Sequence, residues 1–388
     1  MQALCVIEPR AEDLLPNWQV GEQSCRVRAL KVLYGSMPLV LMLPNMRTPV
    51  SLSQDRFRAA LLGFAIGDAL GFPFQGGRPQ SLRYASSAAD DYARHPRGEH
   101  PKGQFSDDTQ LMLAVLESVV AVRRVEGRSL GEHLGWLWQE GILLRPSASV
   151  ARALERLAKG SPWMSAGCPV GDKDPSVLSR AVVLGLWNSQ SPDGVLHGAQ
   201  VMAVVTHKDP TCAAAVAVLA RAIALGMSGA PMTPASWCES LARAASAHDL
   251  GLAQELEHLP TLASWSVDRA LTRLRCVSLP RQTSAEHEGL PRNVVPVLLT
   301  ALYAVMVAAN DFRRALGIVL SAGGEVDACA GACGALLGAS GGCEALPSRL
   351  RKGVQYAEHL LDASDRLFQA RHLDRAPVTA LAKQQVRS

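Results

Sequence analysis

From residue 53 almost to the end of the chain, apolar residues recur three and four positions apart, the spacing of one face of an α-helix. Ser53 is suited to cap the first such segment, which predicts a helix over residues 56–70. Within it, Leu61, Phe64 and Asp68 fall on a single face. Burying a carboxylate on an apolar face is costly unless it is hydrogen-bonded or binds a cation. Asp68 is therefore either a residue of a functional site or a residue that fixes a neighbouring loop.

The same spacing predicts six further helices, and no segment alternates strand, turn and helix as an α/β chain does. Ala, Leu and Val dominate the apolar residues and aromatics make up only 5% of the chain, a composition typical of closely packed helices. We therefore predict an all-α fold with one helical domain over residues 53–371. The further predicted helices cover residues 107–122, 149–159, 210–225, 294–309, 311–320 and 327–339. The last of these consists almost wholly of small residues, so it allows neighbouring backbones to approach closely.

The two ends of the chain differ from this domain. Residues 1–50 show no helical period and end in a loop-like stretch, PNMRTP, over residues 44–49. This N-terminal extension is either a lid or an arm for a protein partner, or it precedes a true first residue at Met46. Residues 372–388 are polar, so we expect them to form a frayed tail.

Net charge and cysteine content narrow the functional class. The formal charge of +4, from 39 basic and 35 acidic residues, is not concentrated in a dense run, which argues against a specific nucleic-acid binder. The nine cysteines include no C-x-x-C pair, which favours a reducing compartment over a disulfide framework. From the sequence alone, we expect no stretch to approach the apolar length of a membrane span. These observations predict a cytoplasmic protein without a membrane partner.

Two acidic clusters, far apart in sequence, each stand directly before an apolar helix. They are GQFSDDT over residues 103–109 and GGEVD over residues 323–327. Either cluster alone is explained as a helix N-terminus, where the macrodipole favours negative charge. Adjacent Asp107 and Asp108 repel each other, however, unless a cation lies between them, and hard oxygen ligands suit Mg²⁺ or Mn²⁺. If the two clusters converge, they would form a site for two metals about 3.5–4 Å apart.

The order of these motifs resembles that of the ADP-ribosylglycohydrolases. The segment LLGFAIGDALG at residues 61–71 is similar to the opening helix of that family, and SDDT at 106–109 to its first metal motif. GGEVDA at 323–328 is similar to the second metal motif. The T-H segment at 206–210 and the V-P segment at 295–303 are similar to sequences that lie between the two.

The resemblance implies an all-α, orthogonal helical fold with two Mg²⁺ ions, or Mn²⁺, in a central cleft. It implies hydrolysis of the bond between the anomeric carbon of ADP-ribose and an acceptor, so the partner would be an ADP-ribosylated protein or a small ADP-ribose conjugate. Such cleavage passes through an oxocarbenium-like state and needs an activated water. The implied metal ligands are Ser106, Asp107, Asp108, Glu325 and Asp327. The implied catalytic residues are Asp107, Asp108 and Glu325, and the implied substrate-binding residues are Asp68, Gln75, Gly103, Arg180, His207 and Gly324.

Three residues depart from the family pattern. Glu325 stands where an Asp is expected, and its extra methylene moves the carboxylate by roughly 1.5 Å, a large shift for octahedral Mg²⁺. Ala328 replaces a hydroxyl ligand, and Gln75 replaces a Glu and cannot act as a base. The sequence therefore leaves two hypotheses open: an active hydrolase, or a catalytically impaired relative that binds ADP-ribose or blocks a partner.

Two of the implied substrate contacts also have structural alternatives. Arg180 is either a diphosphate contact or a member of a surface salt bridge. His207 either lines the cleft or orders a loop through a hydrogen bond.

A third hypothesis is an all-helical Mg²⁺ enzyme that acts on isoprenoid diphosphates. That class needs a D-D-x-x-D segment, whereas Leu111 occupies the fifth position counted from Asp107. The missing third carboxylate argues against it.

Overall fold

The protein is built from α-helices, as a computed structural model of residues 53–96, 98–278 and 288–375 shows. Three isolated backbone bridges are the only β-type pairings in this part of the chain, so the predicted all-α fold is confirmed. The predicted extension over residues 1–50 and most of the predicted tail lie outside the described residues. The helices are α1 Gln54–Gly71, α2 Leu82–Ala88, α3 Asp107–Val122, α4 Gly127–Gln139, α5 Ala148–Ala158, α6 Trp163–Ala166, α7 Ser179–Trp187, α8 Pro192–Val204, α9 Pro210–Ser228, α10 Pro234–Ser246, α11 Leu250–Leu262, α12 Val267–Arg275, α13 Val294–Ala308, α14 Phe312–Ser321, α15 Val326–Gly341, α16 Ser348–Gly353 and α17 Ala357–Arg375.

The predicted helices correspond to α1, α3, α5, α9, α13, α14 and α15, with ends that differ by at most three residues. Their caps explain this agreement, because Ser53, Ser106 and Asp209 each accept a hydrogen bond from a backbone N–H in the first turn of the helix that follows. The last helix, α17, continues through Arg375, beyond the predicted domain end at residue 371.

The closest helix contact joins α1 to α15, and it depends on small residues. A β-carbon at Gly67 would lie 1.9 Å from the carbonyl oxygen of Ala330. One at Gly334 would lie 2.0 Å from the carbonyl oxygen of Gly63. The two backbones therefore touch directly, as the small-residue pattern predicted, and the acidic first turn of α15 lies beside the C-terminal end of α1.

The core is made largely of apolar helices that are buried all round, such as α9, α13 and α15. Two segments, Gln54–Phe74 and Pro210–Ser228, are long and apolar enough to cross a membrane, so the prediction that no stretch approaches that length was wrong. Most of each segment, 83% and 78% of its most apolar window, is buried inside the protein. Such burial is typical of core helices, which pass the same test of length and composition.

Candidate functional site

Asp68, near the end of α1, is buried and holds the start of α3 in place. Its Oδ1 accepts a hydrogen bond from the backbone N–H of Ser106 at 3.1 Å. Its Oδ2 accepts one from the backbone N–H of Thr109 at 3.1 Å and one from the Thr109 hydroxyl at 2.6 Å. Burial raises the pKa of Asp68, and the hydrogen bonds from Thr109 and Ser106 oppose that rise. This geometry favours the loop-fixing alternative for Asp68 over the implied substrate contact.

The first acidic cluster forms the N-terminal turn of α3. The Ser106 hydroxyl accepts a hydrogen bond from the Asp108 backbone N–H at 3.2 Å, and both Asp107 and Asp108 are buried. Burial, and then the charges of Asp68 and Asp174, raise the pKa of Asp107 to about 8. The pKa of Asp108 is raised well above its ordinary value by burial and by its neighbour Asp107. These carboxylates are held together against their repulsion, which a bound cation would relieve.

The second acidic cluster follows a turn that only glycine adopts easily. Gly323 and Gly324 have φ angles of +66° and +75°, and a β-carbon on Gly324 would lie 2.1 Å from the carbonyl oxygen of Leu290. The backbone N–H groups of Gly324 and Glu325 donate to the carbonyl oxygens of Gly77 and Leu290, at 2.8 and 3.0 Å. Gly324 is therefore the junction of three loops rather than part of the cleft wall.

Asp327, in the first turn of α15, is buried with its Oδ1 lacking a hydrogen-bond partner among the described residues. Burial, and then the charges of Glu325 and Asp68, raise its pKa well above the ordinary value. A buried carboxylate oxygen without a partner is costly, and a cation would satisfy it.

Glu325 is paired with an arginine that the sequence did not single out. Arg292 donates hydrogen bonds from Nε and Nη2 to Oε1 of Glu325, at 3.2 and 3.0 Å, and its Nη1 lies 3.6 Å from Oδ2 of Asp174. Burial raises the pKa of Glu325, while Arg292 and the Gln75 side chain oppose the rise. Neither Arg292 nor Asp174 belongs to a motif, although an arginine three residues before the V-P segment is a signal that sequence reasoning could have used.

These side chains border one small cleft. Of the residues implied from the sequence, five line it: Gln75, Asp107, Asp108, Glu325 and Asp327. The other lining residues are Arg145, Ser147, Asp174, Pro175, Ser176, Arg292 and Ala328, of which only Ala328 was considered from the sequence. The two acidic clusters, whose nearest ends are 214 positions apart in the sequence, therefore meet at one place.

Two other implied substrate contacts, Arg180 and His207, do not line the cleft. Arg180 is fully buried and donates from Nη1 to the carbonyl oxygen of Met202 at 3.0 Å and to the Thr206 hydroxyl. The surface salt bridge considered for Arg180 is therefore wrong, because the side chain does not reach the surface. His207 is also buried, with Nδ1 at 2.9 Å from the Thr206 hydroxyl, which favours its loop-ordering alternative. Burial lowers the pKa of His207 to about 4.

Gly103, the last implied substrate contact, lies in the loop before α3. Its φ is +77°, and its carbonyl oxygen accepts a hydrogen bond from the Gln355 backbone N–H at 2.9 Å. A β-carbon there would lie 2.1 Å from the carbonyl oxygen of Gly353. Gly103 therefore packs the loop against the segment between α16 and α17 and does not line the cleft.

The fit of the cleft to the implied metal ions differs from one side to the other. Asp107, Asp108 and Asp327 supply the hard oxygen donors that Mg²⁺ and Mn²⁺ prefer, and Oδ1 of Asp327 has no other partner in the described chain. Within the same residues, no three Asp, Glu, His or Cys side chains are already arranged to hold a metal ion, so cation binding requires these side chains to rearrange. At Glu325, the Arg292 guanidinium already supplies a positive charge.

The fold and the sequence of this chain are both similar to those of known proteins. A structure described as an ADP-ribosylglycohydrolase-related protein complex has the same fold, with a TM-score of 0.61 and 23% identity over 82% of this chain and 98% of that one. An uncharacterized protein of Archaeoglobus fulgidus is 27% identical over 316 residues, which cover 81% of this chain and 97% of the relative. The ADP-ribosylhydrolase ARH3 of Danio rerio is 23% identical over 341 residues, 81% of this chain and 90% of the relative. The family model for ADP-ribosylglycohydrolase matches residues 49–377, and the chain therefore belongs to the ADP-ribosylglycohydrolase family.

Proposed function

We propose that this protein hydrolyses the glycosidic bond between ADP-ribose and an acceptor, and that the reaction depends on Mg²⁺ or Mn²⁺. Family membership suggests hydrolysis of ADP-ribose linkages. The observation that carries the metal dependence is the meeting of Asp107, Asp108 and Asp327 in one cleft, with Oδ1 of Asp327 lacking a partner among the described residues. The acceptor is an ADP-ribosylated protein side chain, N- or O-linked, or a small ADP-ribose conjugate.

The residues in and beside the cleft would have different roles in such a reaction. Asp107, Asp108 and Asp327 would hold a divalent cation, which supplies positive charge for substrate hydroxyls and makes a bound water more acidic. Asp68 keeps the first two carboxylates in position by fixing the start of α3. Gln75 lines the cleft with an amide that donates and accepts hydrogen bonds, so it would orient the substrate and cannot remove a proton.

Release of ADP-ribose tests this proposal directly. Peptides carrying serine-linked or arginine-linked ADP-ribose are incubated with the full chain in Mg²⁺, in Mn²⁺ and in EDTA, and free ADP-ribose is measured by mass spectrometry. We expect release with either metal and none in EDTA. Asp108→Asn should lower the rate by about 100-fold or more, because even outer-sphere partners of metal ligands contribute 10–100-fold.

Asp90→Asn is a matched control, since Asp90 forms an exposed ion pair with Arg313 at 2.6 Å and lies outside the cleft lining. This variant should keep the full rate. If no ADP-ribose is released from any acceptor type with either metal, the proposal is contradicted.

Binding of ADP-ribose without turnover, or blocking of a partner, is the second candidate function. The uncharged Gln75 and the missing hydroxyl at Ala328, both in the cleft lining, favour it. Calorimetric titration with ADP-ribose in Mg²⁺ and in EDTA separates the two, because binding that is indifferent to metal and unaccompanied by hydrolysis supports this second function. The cytoplasmic location, the absence of membrane and nucleic-acid partners and a partner for residues 1–50 stay predictions.

A further inference from the structure

One edge of the cleft contains a fixed cation of its own. The Arg292 guanidinium donates twice to Oε1 of Glu325, at 3.2 and 3.0 Å, and lies 3.6 Å from Oδ2 of Asp174. Both carboxylates are largely buried, whereas the Arg292 side chain is 47% exposed and enters from the rim. A rigid guanidinium fork is well suited to hold two carboxylates in this way. The charge of these two carboxylates is therefore already partly balanced without metal.

Backbone contacts hold Arg292 at this place. The residue two positions before it, Leu290, donates its N–H to the Gly323 carbonyl oxygen at 2.8 Å and accepts from the Glu325 N–H at 3.0 Å. The residue two positions after it, Val294, donates its N–H to the carbonyl oxygen of Lys173 at 2.7 Å, next to Asp174. The segment that carries Arg292 is thus hydrogen-bonded on one side to the loop of Glu325 and on the other to the loop of Asp174.

The three departures from the family pattern line the same cleft as this arginine. Gln75 has no charge, Ala328 has no oxygen ligand, and Glu325 reaches farther than an aspartate would. The changes at Ala328 and Glu325 weaken the site for a divalent ion that needs regular octahedral oxygen geometry. The longer Glu325 side chain instead gives the guanidinium its acceptor.

The remaining carboxylates of the cleft are in a different electrostatic state. Asp107, Asp108 and Asp327 are buried and line the same cleft. Oδ1 of Asp327 has no hydrogen-bond partner in the described residues, whereas Glu325 has its arginine. Asp107, Asp108 and Asp327 are therefore the cleft carboxyl groups that Arg292 leaves available to a cation.

We propose that the cleft binds one divalent cation, at Asp107, Asp108 and Asp327, and that the guanidinium of Arg292 takes the place of a second. A second divalent ion at Glu325 would have to displace the guanidinium or lie beside it against their mutual repulsion. This inference rests on the proposed metal-dependent function, and it makes Arg292 a positioning residue that sets how many metal ions the cleft holds.

Metal stoichiometry, measured without substrate, tests the inference. The full chain is stripped with EDTA and titrated with MnCl₂, and free Mn²⁺ is counted by electron paramagnetic resonance. We expect one Mn²⁺ per chain and, in frozen solution, the six-line spectrum of an isolated ion. The double variant Arg292→Ala/Ala328→Thr frees Glu325 and restores a hydroxyl, so we expect it to bind two ions with the additional lines of a coupled pair.

Arg313→Ala is the matched control, because it also removes an arginine from an ion pair, with Asp90, but at the surface. It should still bind one ion. Two coupled ions in the unmodified chain, or none, would overturn the inference, as would a double variant with native circular dichroism that binds only one. If the unmodified chain binds two ions and releases ADP-ribose, this inference is contradicted but the proposed function is supported. If it binds one ion and releases no ADP-ribose, the inference is supported but the proposed function is contradicted.

Discussion

At the scale of single residues, Asp68 has the strongest structural effect on the cleft, because three hydrogen bonds from the start of α3 end on its buried carboxylate. Two of them come from backbone N–H groups that a helix start leaves without partners of its own. The residue therefore fixes the turn that carries Asp107 and Asp108, although it does not line the cleft itself.

Asp68→Ala is expected to lower the free energy of unfolding by about 2–4 kcal/mol, because it leaves buried donors at Ser106 and Thr109 unsatisfied. It should also weaken Mn²⁺ binding, since the first acidic cluster loses its support. Urea denaturation and Mn²⁺ titration measure the two effects. The exposed Asp193→Ala is the control, with a change of at most about 0.5 kcal/mol. Equal stability of the two variants would contradict this role for Asp68.

A site residue could be predicted from the sequence only when it belongs to a local pattern. Asp107, Asp108 and Asp327 occupy helix starts within recognisable motifs, and the structure brings them to one cleft. Arg292 and Asp174 are missing from the sequence prediction because they meet Glu325 only through loop contacts between segments 33 or more residues apart. Arg180 and His207 were implied as substrate contacts, whereas both are buried outside the cleft lining, because their burial follows from helix packing that no local pattern encodes.

At the scale of elements, the crossing of α1 and α15 brings the two metal motifs together. Small residues recur on both helices, and the sequence predicted close approach for this reason. Seven helices were predictable because their apolar spacing and caps agree. Short helices such as α2 and α6 were not, because one or two turns are too few to establish a period. Longer helices were also missed, namely α4, α8, α10, α11 and α17.

Gly67→Ala tests the importance of the crossing. Its β-carbon would lie 1.9 Å from the Ala330 carbonyl oxygen, so the two backbones must separate. We expect a loss of about 2–3 kcal/mol in the free energy of unfolding, as is typical of overpacked cores. Gly251→Ala is the matched control, because that glycine is exposed in α11 and its β-carbon would meet no backbone atom, only the carboxylate of the Asp249 cap at 3.2 Å. In the control, the free energy of unfolding should stay the same or rise by up to about 1 kcal/mol. A similar loss in both variants would contradict the role of the α1–α15 crossing in stability.

At the scale of the whole molecule, the concentration of acids in one cleft links stability to pH. Burial and mutual repulsion raise the pKa of Asp107 to about 8 and raise those of Asp108 and Asp327 as well. The folded protein therefore keeps protons that the unfolded chain has already lost. Such groups favour the folded state at low pH, and their contribution is lost as the pH rises through the folded pKa.

We therefore expect the metal-free protein to lose stability between pH 6.5 and 8, by about 1.4 kcal/mol per pH unit for each extra proton that the folded state holds. His207 does not reverse this sign, because its pKa is lowered to about 4 and its contribution falls only below pH 6.5. Mg²⁺ should oppose the loss, since it replaces those protons and binds more tightly as they leave. Thermal unfolding in EDTA and in MgCl₂ across this range measures both slopes. Asp107→Asn should flatten the EDTA slope, whereas Asp90→Asn, at an exposed ion pair, should leave it unchanged. A metal-free stability that rises toward pH 8 would show that the cleft carboxylates are ionised without a cation, and would contradict the electrostatic basis of the proposed site.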